Sequence, residues 1–451
     1  MIIKKLVLII CLIVIVVGVN FELSEAQNRI KWSIQLGDMS LSPVAIGPEG
    51  KLYITTFEKL YAINPFGEKI WSISSKEIIG DLKFGDVEFF NYGYPAVTMD
   101  GTIYVTTSRY IAAINKDGTF KWKLRLIKDI FTNSLKYNLA LGKAGSIYAG
   151  DKEGNLYVLN SNGKIKWVKN LTYLDLAGPS VGLNGVVYIG GDNNILHAVL
   201  PKGDIKWSYD TDGNAFFPKF GGNIESTPAI DNKGNIYFGT SNGEVHALNP
   251  DGSERWSTNL GGLGTVIEKA SPVIGPQGTV YICSSGDYGQ KLHAINSDGT
   301  LKWDYKLSEE DYVETTPAVA EDGTVYLANR KKIYAINPDG IKKWSISLES
   351  EISSSPVLGI DGTIYVSTDN GKLYAIRGDS VGIGDSPWPM FGGNSRHSSA
   401  NYFEGEKVKT RETRFDKCIN YLIEFIDENA HDKENKEQAI ELLKVIRDIK
   451  K

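Results

Sequence analysis

All nine tryptophans of this chain fall on one repeating beat. Trp32, Trp71, Trp122, Trp167, Trp207, Trp256, Trp303, Trp344 and Trp388 stand 39 to 51 residues apart. Between them one phrase recurs: Ser/Thr-Pro, a short apolar run, Asp-Gly or a relative, Thr-Ile-Tyr-Val, a polar turn, Leu-Tyr-Ala-Ile-Asn, Pro-Asp-Gly, Trp. A repeat of roughly 45 residues that holds several short strands is the pattern of a propeller blade.

The unit from Thr227 to Trp256 is the clearest. Pro228–Ile230 reads as a first strand and Asn232-Lys233-Gly234 as a turn; Asn235–Thr240 is a second strand, ending at the Asn242-Gly243 turn. Glu244–Asn249 is a third strand, and Pro250-Asp251-Gly252 leads into a fourth that ends at Trp256. Asn-Gly and Asp-Gly between alternating runs signal tight hairpins, because such turns need positive φ. A single four-stranded meander cannot bury both of its faces, so it must stack on copies of itself.

Glycines set the count. The first turn carries Gly50, Gly101, Gly145, Gly185, Gly234, Gly278, Gly323 and Gly362. The third turn carries Gly67, Gly118, Gly163, Gly203, Gly252, Gly299 and Gly340, each four residues before a Trp. The eighth repeat has no fourth strand, whereas Asn28-Arg29-Ile30-Lys31-Trp32 is a fourth strand with no preceding three. The two ends therefore complete one blade. The expectation is an all-β, eight-bladed propeller closed by its N-terminal strand, over residues 27–400. Eight Trp, from Trp32 to Trp344, are expected between neighbouring blades as structural residues. Full burial would contribute about 2–3 kcal/mol each.

A net charge of −5 and a pI near 5.7 argue against a nucleic-acid-binding surface. Lys4-Lys5, an apolar run from Leu6 to Val19 and Ser24-Glu25-Ala26 read as a signal peptide over residues 1–26. About fourteen apolar residues are few for a membrane span; an uncleaved anchor is the alternative. Ile10 before Cys11 stands where a lipidation box needs a small residue. The mature chain is thus expected to be secreted, periplasmic or at the cell surface. Cys283 reads as a packed small residue of a second strand, and a disulfide to Cys418 is the competing reading. Residues 401–451 form a charged tail. Phe415, Cys418, Ile419, Leu422, Ile423 and Ile426, then Ala439, Leu442, Leu443, Ile446 and Ile449, follow helical spacing. A helical hairpin is expected there, packed on itself or on the ring, or serving as a partner or dimer contact.

Few residues point to chemistry. His197, His246 and His293 occupy one repeat position in three adjacent blades, the position held elsewhere by Tyr61, Tyr157, Tyr334 and Tyr374. Equivalent residues sit a blade's width apart, too far to share a metal ion at about 2.1 Å each, so a structural role is expected. Asp210-Thr-Asp212-Gly-Asn214 resembles the start of a calcium loop but lacks the later bidentate acid, and Asp-Gly is also ordinary turn chemistry. His397 and His431 lie outside the ring. Three inter-blade connections are long: Ser72–Tyr94, Lys123–Leu139 and Ser208–Thr227. Two are aromatic, and Phe89, Phe90, Phe216 and Phe217 are candidate contact residues for a peptide or glycan. Capping the mouth of the ring is the alternative use of these loops.

Tyr61-Ala-Ile-Asn64-Pro-Phe-Gly67-Glu-Lys-Ile-Trp71 and its relatives resemble the repeat of PQQ-like, quinoprotein-type β-propellers. Trp388-Pro-Met-Phe-Gly-Gly-Asn-Ser-Arg-His397 resembles a further segment of that superfamily. The resemblance implies an eight-bladed ring. It leaves function open, since the superfamily holds pyrroloquinoline quinone dehydrogenases, a subunit of the outer-membrane barrel-assembly machinery, and uncharacterised surface proteins. The dehydrogenases carry adjacent cysteines beside the quinone, and this chain has none. A non-catalytic module that binds a protein or cell-surface partner is therefore the leading expectation. A divergent oxidoreductase using pyrroloquinoline quinone and calcium is second.

Overall fold

Glycine at the tight turns is what lets each repeat fold on itself. Every first-turn and third-turn glycine named above has positive φ, between +68° and +97°, where other residues are strained. The computed structural model describes residues 28–394, apart from 38, 40–41, 81–92, 108, 128–134, 173–174, 212–221, 262–264, 268–269, 287–288, 308–314, 381, 383–385 and 391. The expected signal peptide, residues 1–26, and the expected helical tail, residues 401–451, lie outside these residues. The chain divides into two compact units, Met1–Asn401 and Tyr402–Lys451.

The first unit is an eight-bladed β-propeller, with eight antiparallel sheets of four strands each. Blades 1 to 7 follow the chain through residues 45–74, 96–125, 135–170, 180–210, 229–259, 273–306 and 318–347. Blade 8 takes Val357–Leu358, Thr363–Ser367 and Lys372–Arg377 from the far end and Ile30–Gln35 from the near end. Blade 5 shows the common pattern: Ala229–Ile230, Ile236–Gly239, Glu244–Leu248 and Glu254–Asn259. Its outer strand does not stop at Trp256 as the sequence implied. Ser257, Thr258 and Asn259 go on pairing with His246, Val245 and Glu244, since a ladder continues while its partner strand offers backbone groups. The long connections shrink accordingly, because Ser72–Ser74, Lys123–Arg125 and Ser208–Asp210 belong to outer strands.

Core clusters lie in the seams between blades. One joins Cys283, Leu292 and Ala294 of blade 6 to Val325, Leu327 and Tyr334 of blade 7. Cys283 is buried there as a free thiol. Each of the eight blade tryptophans, Trp32 to Trp344, also spans a seam. The indole N–H of Trp32 donates to Pro65 O at 2.9 Å, that of Trp71 to Lys116 O at 3.1 Å, and that of Trp122 to Ser161 O at 2.9 Å. Trp167 and Trp207 donate to Pro201 O and Pro250 O at 3.0 and 3.2 Å. Trp256 and Trp303 reach Ser297 O and Pro338 O at 3.0 and 2.9 Å. All these acceptors sit in the third turn of the following blade. The glycine of that turn lies flat on the ring: a Cβ on Gly118 would stand 2.7 Å from Trp71 Cδ2. Full burial is not what results. Seven of these indoles are half-buried and only Trp344 is buried, because each lies at the outer rim with one edge in solvent.

Blade 8 lacks a third turn, and a carboxylate replaces it. Trp344 donates to Asp379 Oδ2 at 2.7 Å. Arg29 pairs with Asp379 Oδ1 at 2.8 Å and lays its guanidinium 4.2 Å from the Trp344 ring centre. Lys31 bridges to Asp361 at 3.1 Å across the same junction. Burial pushes the Asp379 carboxyl up, but hydrogen bonds from Arg29 and Trp344 outweigh it and hold the group below its ordinary value. Asp361 is likewise lowered, with hydrogen bonds from Thr363 and Lys31 outweighing burial.

Depressed carboxyl pKa values stabilise the fold above the unfolded-state value, and that contribution is lost as pH falls through the folded-state one. Asp379→Asn is expected to cost about 1–2 kcal/mol at pH 7. The gap from wild type should narrow as pH drops below about 4. Thermal unfolding of both proteins across pH checks this; a constant gap would show that the charge does not hold the closure. Gly118→Ala should also lower the midpoint, since the new methyl meets the Trp71 ring.

Candidate functional site

The Ser/Thr-Pro phrase places hydroxyls around the central axis. A following proline holds the preceding residue extended, and in blades 5 to 8 that residue joins its neighbours. The Thr227 N–H donates to Ser271 Oγ at 3.0 Å, the Ser271 N–H to Thr316 Oγ1 at 3.0 Å, and the Thr316 N–H to Ser355 Oγ at 2.9 Å. Asn138 of blade 3 extends the chain, donating through Nδ2 to Thr227 Oγ1 at 3.1 Å. It reaches past Gly178 of blade 4, where a Cβ would come 2.4 Å from Thr227 Oγ1 and 2.7 Å from Asn138 Nδ2. These side chains are four hydroxyls and one amide, none charged. Thr227, Ser271 and Thr316 are buried and committed to one another.

Calcium seeks six to eight oxygens, carboxylates prominent among them. The axial set does not fit that demand, and no group of three or more His, Cys, Asp or Glu is placed to hold a metal among the described residues. Nor do the described axial residues offer the acidic and amide cluster on which a quinone with calcium would depend.

The opposite end of the axis is plugged. Trp388 O accepts from the Ile274 N–H at 2.8 Å and Pro389 O from the Val319 N–H at 2.7 Å, so the segment adds to the inner strands of blades 6 and 7. Trp388 is completely buried against blades 4 to 6, and Met390 packs with blades 7, 8 and 1. The ninth tryptophan of the beat is thus an axial plug and belongs to no outer strand. In sequence it differs from the others only by its Pro-Trp-Pro setting.

The three histidines sit in three separate seams, on the third strands of blades 4, 5 and 6. His197 Nδ1 bonds to Ser208 at 2.8 Å, and His293 Nε2 to Ser284 at 2.8 Å. Burial pushes His293 down to about 4 and also lowers His197. His246 stacks on Phe238, ring centres 5.1 Å apart, and lies beside Tyr209, Glu244 and Glu254. Tyr209 of blade 4 donates to Glu254 of blade 5. No histidine shares a site with another; each fills the place a tyrosine fills in other seams.

One end of the ring carries the first and third turns, all short. The other carries the second turns and the inter-blade connections. Phe89, Phe90, Phe216 and Phe217 fall on those connections and lie outside the described residues, as do Asp212, Asn214 and His397. Beside them the structure describes a short helix, Ser75–Ile79, whose start is fixed by a capping box between Ser74 and Glu77. It buries Ile78 and Ile79 in the seam of blades 1 and 2, a feature that the aromatic count concealed.

A family model described as outer membrane protein assembly factor BamB matches residues 110–286 and 249–382, together more than half of the chain. No curated protein matches. Among solved structures, BamB from Moraxella catarrhalis is similar at 15% identity and a TM-score of 0.61, covering 77% of this chain and 99% of its own. Sqt1 from Saccharomyces cerevisiae has 10% identity and a TM-score of 0.61, covering 77% and 98%. The computationally designed Ika8 protein has 9% identity and a TM-score of 0.60, covering 77% and 99%. At such identities the likeness is one of fold.

Trp388→Ala should cost about 3–5 kcal/mol, the range for a fully buried large aromatic, and more than Trp207→Ala at the half-exposed rim. Chemical unfolding of the two variants checks the order. The reverse order would mean that the plug is an ornament on a ring held by its rim.

Proposed function

The chain belongs to the family of outer membrane protein assembly factor BamB, and on that premise we propose that it is an exported, non-catalytic propeller that holds a protein partner at its outer surface. The family supports a protein-binding scaffold of the assembly type, and the asymmetry of the ring supports the choice of face. Tight turns crowd one end, while the other carries connections of variable length on a rigid frame, where binding residues usually sit. The observation that carries the reading is the axis. Its described side chains, Asn138, Thr227, Ser271, Thr316 and Ser355, are uncharged and linked from blade to blade, which supports recognition at the rim over chemistry at the centre. The contact residues we assign are Phe89, Phe90, Phe216 and Phe217, with a protein or other cell-surface material as partner.

Photo-crosslinkers at Lys152 and Asn370, on the long-connection face, should trap the partner in cells, and one at Asp251, on the opposite face, should not. Replacing the four phenylalanines with Ala should reduce the crosslink at least tenfold. An unchanged yield would remove them from the site. Calorimetric titration with pyrroloquinoline quinone, with and without calcium, should give no heat. Calcium-dependent binding at micromolar or better would replace this reading with the oxidoreductase.

A further inference from the structure

The N-terminal strand enters the ring at the tight-turn end. Ile30 pairs with Ile376 and Gln35 with Lys372, so Arg29 lies where other blades place their third turn. Nine residues separate Val19, the end of the apolar run, from Arg29, a reach of at most about 30 Å. The same face carries exposed apolar side chains. All the exposed large apolar side chains among the described residues, except Met39 and Val168, lie on its turns or at the starts of the outer strands beside them. Ile341 and Ile360 are the most exposed, at 65% and 64%, and Leu301 and Phe66 are about half exposed. Lysines follow directly at four of the strand starts, Lys121 after Phe120, Lys166 after Ile165, Lys206 after Ile205 and Lys302 after Leu301.

These tips belong to different blades and stand apart, so they make no contiguous patch of the kind a protein hot spot requires. A lipid surface takes up each tip separately, and lysine stems reach its headgroups while their alkyl chains cover apolar area. We propose that the tight-turn face is a lipid-facing surface, laid against a bilayer when the run from Leu6 to Val19 is retained. The long-connection face then points away from the bilayer, toward whatever the protein binds. This goes beyond the partner reading, which fixes no orientation. Among the described residues no helix is long and apolar enough to cross a membrane, so the contact is at the surface.

The test uses the full chain, residues 1–451, with Cys11 and Cys418 replaced by Ser, on vesicles of phosphatidylcholine with one part in about three phosphatidylglycerol. An environment-sensitive dye is placed in turn at Asp298→Cys and Asp339→Cys on the tight-turn face, and at Lys152→Cys and Asn370→Cys opposite. The first two should shift to shorter wavelength and become several-fold less accessible to aqueous iodide; the other two should not change. Equal accessibility at all four, or shielding of Lys152→Cys and Asn370→Cys, would overturn the proposal. A second variant, Phe66→Ser with Leu301→Ser, should still float with vesicles through its apolar run but lose the shielding. Shielding that survives it would show that the tether alone holds the face near lipid, and the face would not be a docking surface. Neither readout depends on the protein partner, so loss of partner binding leaves the result interpretable.

Discussion

The indole passed from each blade to the next is the contact on which the rest of the ring depends. A four-stranded meander has two apolar faces and no core of its own, and the clusters that stabilise this protein lie between blades. Stacking sheets face to face buries area but does not fix how far one blade slides past its neighbour. The tryptophan N–H does, because its acceptor is one carbonyl in the next turn and its ring lies flat on one glycine. At Gly118 the ring of Trp71 occupies the volume a Cβ would need, so the glycine serves turn and seam together. Each such bond contributes only about 1 kcal/mol. What the repetition secures is register, which a one-residue slip would destroy.

Closure shows the same constraint met by other means. Seven seams receive the indole on a backbone carbonyl held in a covalent hairpin. The eighth has no hairpin there, because its outer strand comes from the other end of the chain. Asp379 supplies the acceptor, and Arg29 ties it to the incoming strand while covering the Trp344 ring. A carboxylate holding three cationic or N–H donors, from Arg29, Trp344 and Lys343, is a stronger acceptor than a carbonyl, which offsets the missing covalent link. The indole contact at this junction thereby depends on a charge, which the seven carbonyl contacts do not.

How much of this was legible in sequence depended on whether the signal repeated. The blade count and the N-terminal closing strand followed from glycines at fixed intervals, since positive φ leaves few other residues available. The end of each outer strand did not follow. Nothing in Ser257-Thr258-Asn259 marks a strand, and those residues pair because the third strand still offers partners. Trp388 kept the spacing of the repeat and yet left it, since spacing does not record which surface a ring is pressed against. The hydroxyl chain at the axis was present in the text as Ser/Thr-Pro. Its meaning appeared only when Thr227, Ser271, Thr316 and Ser355 were brought side by side from four blades. Asp379, outside any repeat, carried no signal at all.

The division of labour between the two ends of the ring follows from the same economy of contacts. Toward the long connections, the axis is lined by uncharged groups linked from blade to blade, Asn138, Thr227, Ser271, Thr316 and Ser355, with no carboxylate or imidazole among them. Its other end is filled by Trp388. Variation without loss of stability is then confined to segments that no seam depends on. The tight turns are excluded, because each third turn receives an indole. The inter-blade connections are not, and they differ in length from blade to blade while the strands they join keep their register. That face is where the chain can vary in length and side chains without disturbing its seams.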